Sequence, residues 1–172
     1  MLIVALISSV LLGFIRGGSL KPIAQLEMKG LWFYILAILL QGLVLTGVIP
    51  PSLSAGLAYS VSFLLLLMGS FLDRHVHGMQ WIMLGLFLNG LVVAANGGKM
   101  PVMVPEASLP HDAQALTHSP LTELTRMGFL SDVIRFPLFG EHYLLLSAGD
   151  LLISLGVFAA IQKLMVSRPG EE

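Results

Sequence analysis

Cysteine is absent from the 172-residue chain, which excludes disulfides, thiolate metal sites and cysteine nucleophiles together. Charge is scarce. Only 11% of the residues are Asp, Glu, Lys or Arg, where a soluble domain carries about 25%. Too few charged side chains remain to cover a globular surface in water, which excludes a soluble enzyme and a disordered tail. No sign of charge predominates either: nine basic residues face ten acidic ones, for a formal net charge of −1. There is thus no basic face for nucleic acid and no strong field to steer a ligand. What is abundant is apolar, with 56% hydrophobic residues and a mean hydropathy of +0.88. The class left is a small integral membrane protein.

Five apolar runs predict an all-α, polytopic bundle of five spans at 1–15, 31–49, 53–72, 79–95 and 143–161. A bilayer core needs about 20 helical residues, and helices satisfy their own backbone amides in lipid. The first run is short, reaching only about 22 Å at helical rise, with Arg16 placed to snorkel at its end. Met1-Leu2 opens straight into the apolar run without a positive lead, so the run reads as a span and not as a cleaved signal peptide. Residues 1–166 form one transmembrane domain on this reading, and 167–172 a charged, flexible cytoplasmic tail.

Lysine and arginine set the orientation. Arg16, Lys21, Lys29, Arg74, Lys163 and Arg168 fall on one side, and Lys99, Arg126 and Arg135 on the other, all within one long loop. The N-terminus is therefore expected outside, the C-terminus in the cytoplasm and the loop 96–142 outside. So long a loop carries structure of its own. Ser119-Pro120 followed by Glu123 is a helix-start signal, predicting a short interfacial helix that runs to about Arg135, before Phe136-Pro137.

Ionisable groups inside a span are costly and mark sites or partners. Asp150 is such a group, about 10 Å inside the last span when counted from Tyr143 at helical rise. Ser147, Asp150 and Ser154 share its helix face. Asn89 reaches a matching depth from the fourth span, shares a face with Asn96, and Gln41 near the middle of the second span is placed to join them. The plain structural reading is a hydrogen bond between Asn89 and Asp150 that holds two helices together. The run Asn96-Gly97-Gly98-Lys99-Met100-Pro101 reads first as a helix stop and second as a nest of amides beside Lys99 for an anion or headgroup. Arg16-Gly17-Gly18 echoes it as another helix stop. Asp73, His75 and His77 supply at best part of a metal site, and a solvated turn is the simpler reading. His111, His118 and His142 form no ligand set by spacing, and no cofactor motif is legible. Gly156 and Ala160 make a small-xxx-small pair suited to close helix contact, including a partner or a second copy.

The segments Arg16-Gly17-Gly18, Asn96-Gly97-Gly98-Lys99-Met100-Pro101-Val102, Leu130-Ser131-Asp132-Val133-Ile134 and Ser147-Ala148-Gly149-Asp150 with Gly156 together resemble a family of small bacterial five-helix membrane proteins of unknown function. That resemblance spans essentially the whole chain. It implies a helical fold and a multi-pass location in the bacterial cytoplasmic membrane, and it brings no activity. Residues 129–156 are also similar to the tail of lipoprotein signal peptidases, where an Asp-Phe-Ile/Pro stretch precedes an Asn-x-Ala-Asp segment. On that likeness Asp150 falls on a catalytic aspartate. Ala148-Gly149 departs from the pattern, and the Asn-x-x-Asp-Arg segment has no counterpart beyond Asp73-Arg74 on the other side.

Two functions follow as expectations. The first is a binding or accessory membrane subunit with a polar outer-leaflet pocket formed by Asn89, Asn96, Gly97, Gly98, Lys99 and Asp150, with Asp132 nearby. The second is an intramembrane aspartyl hydrolase, with Asp132 and Asp150 sharing a proton and activating water. A small transporter using Asp150 as a proton relay ranks behind both, since no repeat or broken-helix pair is visible. The partners expected are the bilayer and a membrane protein or second copy.

Overall fold

The computed structural model describes residues 2–50, 53–104, 116–137 and 143–166. Their order is α1 (Leu2–Ile15), α2 (Lys21–Ala24), α3 (Leu31–Leu45), α4 (Leu53–Leu72), α5 (Met79–Ala95), β1 (Met100–Val102), β2 (His118–Pro120), a 3-10 turn (Gly128–Leu130), β3 (Ile134–Pro137), β4 (Tyr143–Leu146) and α6 (Ala148–Val166). The Pro51-Ser52 turn, His111, His142 and the tail 167–172 lie outside the described residues.

The long helices pack side by side in the sequence α3, α4, α5, α6, α1. Two of them, over Ala55–Leu72 and Ala148–Val166, are long and apolar enough to cross a membrane, while α1, α3 and α5 are shorter apolar helices. The structure is mostly helical but not all-α. Where α5 meets α6, a Cβ on Gly85 would overlap the Gly149 carbonyl, and one on Gly78 the Gly156 carbonyl. The two backbones approach this closely only because both positions of each pair lack side chains. The Gly156–Ala160 surface is thereby used inside the chain, against Gly78. A buried core of Phe63, Leu86, Val92, Val93 and Met100 joins α4, α5 and β1.

Three expected boundaries are corrected. First, α3 ends at Leu45, four residues before the predicted limit. Thr46 Oγ1 donates back to the Gly42 carbonyl at 2.8 Å, and Gly47 turns the chain at φ 71°. Second, α6 starts at Ala148, not at Tyr143. Tyr143–Leu146 is apolar enough to read as a first helical turn, but it pairs antiparallel with β3, from Ile134↔Leu146 to Pro137↔Tyr143. Third, the interfacial helix predicted from Ser119-Pro120 to Arg135 is strand and turn. Ser119 pairs with Pro101 in a parallel β1–β2 ladder, and the Thr125 hydroxyl closes a turn by accepting the Thr122 amide at 2.9 Å. Met127 adopts φ 55°, which ends any helix there. The apolar side chains of that segment form no single stripe, so a helix would have had no face to bury.

Candidate functional site

The site begins at the first turn of α6. Ser147 precedes the helix, and its Oγ accepts the Asp150 backbone N–H at 2.9 Å. In return the Asp150 carboxylate (Oδ2) accepts the Ser147 backbone N–H at 3.0 Å. This reciprocal pair is a capping box, satisfying two amides that a helix start leaves unpaired. Asp150 therefore stands at the helix entrance, not two turns inside a span.

The same two residues are tied to α5. Because the Ser147 oxygen already accepts an N–H, its hydroxyl hydrogen is available for the Asn89 carbonyl oxygen, 2.8 Å away. That contact fixes which end of the Asn89 amide is which. Its nitrogen then donates to Asp150 Oδ1 at 2.9 Å. Asn89 is buried at 6% exposure and Ser147 is fully buried, so a broken link here strands polar groups away from water. Gly149 makes room for the network: a Cβ there would overlap Asn89 Oδ1.

Asp132 reaches the same place by strand pairing. Its backbone N–H donates to the Pro101 carbonyl at 3.0 Å, and its carbonyl accepts the Met103 N–H at 3.0 Å. β1 thus lies between β2 and Asp132, and the β3–β4 hairpin that follows Asp132 returns the chain directly to Ser147. Burial, and secondarily the charge of Asp150, push the Asp132 carboxyl up to about 7 from an ordinary value of 3.8. Its Oδ1 is buried without a hydrogen-bond partner. Its Oδ2 lies 3.9 Å from His118 Nε2, beyond direct hydrogen-bond reach, and His118 Nδ1 lies 2.9 Å from the Thr117 hydroxyl.

These groups border one cavity of about 240 Å³. Its lining is polar at Asp132, Asp150, Asn89, His118 and Gln41, apolar at Phe63, Val93, Met100 and Ile153, and includes Tyr59. Gln41 is held by donating to Ser62 Oγ at 2.9 Å, and Tyr59 packs edge-on to Phe63 with ring centroids 5.4 Å apart. The arrangement gives one carboxyl, Asp132, whose proton affinity burial raises, and another, Asp150, oriented by two donors, in a space large enough for water and a small group.

Other candidate residues go elsewhere. Asn96, Gly97, Gly98 and Lys99 do not line the cavity. Asn96 instead clamps the loop, donating to the Arg126 carbonyl and accepting its N–H, both at 2.9 Å. Gly97 (φ 69°) and Gly98 (φ 84°) end α5, with the Gly98 N–H returning to the Val93 carbonyl at 2.8 Å, the helix-stop geometry. A Cβ on Gly98 would overlap the Gly56 backbone, and the positive φ at both glycines reverses the chain there. Arg16-Gly17-Gly18 ends α1 in the same way, the Gly18 N–H bonding to the Gly13 carbonyl at 2.9 Å. Asp73 is fully buried, and its carboxylate accepts the Lys29 N–H at 2.7 Å and the Gly30 N–H at 3.2 Å. It caps the start of α3 and is not placed as a ligand with His75 and His77. Ser154 is buried on α6 with its hydroxyl unpartnered.

His118 and Tyr59 are the cavity residues that sequence reasoning passed over. The parallel pairing of Met100 with His118 joins segments too far apart for spacing to reveal. For Tyr59 a signal existed, a hydroxyl inside an otherwise apolar run.

The sequence profile of a family of unknown function (DUF5317) matches residues 25–162. An uncharacterised protein of Thermotoga maritima is 29% identical over 156 residues, covering 91% of this chain and 84% of that protein. No solved structure matches.

Proposed function

The chain belongs to this family of unknown function, and we propose that it is a membrane-embedded hydrolase of the aspartyl type. The observation that carries the reading is that Asp132 and Asp150, from different elements, border one cavity in which burial, and secondarily the charge of Asp150, raises the Asp132 pKa. Pairs of carboxyls whose surroundings push their proton affinities apart are what acid–base hydrolysis uses. The likeness of residues 129–156 to lipoprotein signal peptidases supports the same assignment.

In this mechanism Asp150, oriented by the Ser147 N–H and the Asn89 amide, accepts a proton from a water held between the carboxyls. The water oxygen attacks the scissile carbonyl carbon while Asp132 donates its proton to the carbonyl oxygen. As the tetrahedral diol collapses, its C–N bond breaks, the amine leaves with the proton held by Asp150, and a diol hydroxyl returns a proton to Asp132. Peptide and water become acid and amine, and both carboxyls regain their starting states.

The membrane setting rests on surface chemistry. Ile15 is 81% exposed, Trp32 72%, Ile3 70% and Ile38 64%. Water-facing apolar surface of that extent drives aggregation, whereas hydrocarbon accepts it. On this reading all five apolar helices lie in the bilayer as one domain, with the carboxylate end outside and the Arg16 and Lys163 end in the cytoplasm.

The experiment compares membranes of a host expressing the wild-type chain, Asp132→Asn or Asp150→Asn by mass spectrometry of new peptide termini. Losing a general acid or base costs about 10²–10⁴-fold, so termini produced by the wild type are expected to vanish in both variants. Termini unchanged by either variant overturn the reading. A second reading is a binding subunit using the same cavity. It is favoured by one observation: both Asp150 oxygens already accept hydrogen bonds within the protein. Absence of any wild-type-specific terminus selects it.

A further inference from the structure

A second cavity, of about 480 Å³, opens near the other end of α6. Gln162 on its wall is twelve residues from Asp150, about 18 Å along the helix. The volume lies within the range of about 300–1,000 Å³ typical of small-molecule sites. Its polar lining is Arg16, His77, Gln162 and Lys163, its apolar lining includes Phe158 and Val166, and no acidic side chain borders it among the described residues.

Its basic groups come from three elements that meet here for separate reasons. Arg16 follows α1, where Ser9 Oγ ties that helix to α6 by donating to the Phe158 carbonyl at 3.0 Å. Its guanidinium donates to Gln162 Oε1 at 2.8 Å. Gln162 is itself buried at 8% exposure, and its amide nitrogen donates to the Ser9 hydroxyl at 3.3 Å. A buried amide thus holds the guanidinium, using one of its five N–H donors. Lys163 is the next residue of α6. His77 precedes Gly78, whose close approach to Gly156 brings the α4–α5 turn against the same helix.

We propose that this cleft binds a phosphate-bearing anion. A planar guanidinium fixed on one side matches two phosphate oxygens, an ammonium supplies a point charge, and an imidazole adds a further donor. The Phe158 and Val166 wall suits the glycerol and acyl part of a phospholipid, and basic clefts between membrane helices hold such headgroups. Free phosphate has the same anionic chemistry without the apolar part. The site is separate from the carboxylate cavity and does not depend on its chemistry.

The test uses the full chain, purified in detergent, with phosphatidylglycerol, phosphatidylcholine, glycerol 3-phosphate or inorganic phosphate as probes. Lipid retention is read by native mass spectrometry and stabilisation by thermal shift. Wild type is expected to retain phosphatidylglycerol over phosphatidylcholine, and Lys163→Gln and Arg16→Gln each to weaken that retention about tenfold. The double variant Lys21→Gln/Lys29→Gln, which removes charge outside the cleft, is expected to behave as wild type. Stabilisation by inorganic phosphate equal to that by the lipid, and lost in Lys163→Gln, assigns the site to the free anion. Equal retention of every probe by wild type and Lys163→Gln overturns the proposal, as does an equal loss in the Lys21/Lys29 control. Lys163→Gln carries the test if Arg16→Gln fails to fold through its bond to Gln162.

Discussion

Asn89 on α5 and Asp150 on α6 are joined by a 2.9 Å hydrogen bond whose direction is set by a backbone amide two links away. The Asp150 N–H obliges Ser147 Oγ to accept, the hydroxyl then donates to the Asn89 carbonyl, and the Asn89 nitrogen faces Asp150. A network specified in this way stabilises as a unit and fails as one.

Removing its members is therefore expected to be non-additive. Asn89→Ala leaves the Ser147 hydroxyl without its acceptor and Asp150 Oδ1 without its donor, at a cost of about 2 kcal/mol. Ser147→Ala removes the helix cap, at about 1 kcal/mol. The double variant is expected to lose less than the sum by at least about 0.5 kcal/mol. Denaturant titration of the four proteins in detergent checks this, and strict additivity contradicts the network.

Gly149→Ala is expected to destabilise although alanine favours a helix by up to about 1 kcal/mol over glycine. The new methyl overlaps Asn89 Oδ1, and overpacking costs about 1–3 kcal/mol. The variant is expected to melt below wild type, while Gly42→Ala on α3, where a Cβ meets nothing, holds or raises the melting temperature.

Asn96→Leu is expected to release the loop from α5. The Arg126 amide donates to the Asn96 side chain at 2.9 Å, so its hydrogen exchange should accelerate more than tenfold, with little change at Val92 and Val93 in the helix core. Exchange at Arg126 matching wild type contradicts the clamp.

Asn89, Asp150 and Asn96 show how much of the site is legible in the sequence. Asn89 and Asp150 were identified as neighbours by matching their distances from the ends of two antiparallel runs. Asn89 does lie about two turns before the end of α5, whereas Asp150 stands at the start of α6, because Tyr143–Leu146 is equally apolar as a strand and as a helical turn. Helices repeat their pattern over many residues, so most long ones were found within a few positions. The strands have three or four residues each, too few for a period. Their pairing joins distant segments such as Met100 and His118, which spacing alone does not encode. Asp132 was therefore singled out for its side of the chain without the ladder that delivers it, and His118 was passed over. Asn96, Gly97 and Gly98 carry two readings in the sequence, and the contacts with Arg126, Val93 and Gly56 are those of the helix stop.

Asp132 makes stability depend on pH. Its carboxyl titrates at about 7 when folded, against 3.8 ordinarily. The folded state therefore binds more protons than the unfolded one between those values. Stability is full below about pH 4, falls as pH rises toward 7, and then levels at a loss on the order of 4 kcal/mol. Asp132→Asn is expected to flatten that slope, and to be more stable than wild type above pH 7. A wild-type curve that rises through this window contradicts the burial of a neutral acid.

The most direct measurement is an infrared pH titration of the Asp132 carboxyl band, assigned by its loss in Asp132→Asn and repeated in Asp150→Asn. The account expects a midpoint near 7 in the wild type. In Asp150→Asn the midpoint should fall but stay above the ordinary carboxyl range, because burial is the larger cause and the neighbouring charge the smaller. A wild-type midpoint near 4, or one that Asp150→Asn leaves unmoved, would mean that the two acids do not share a site.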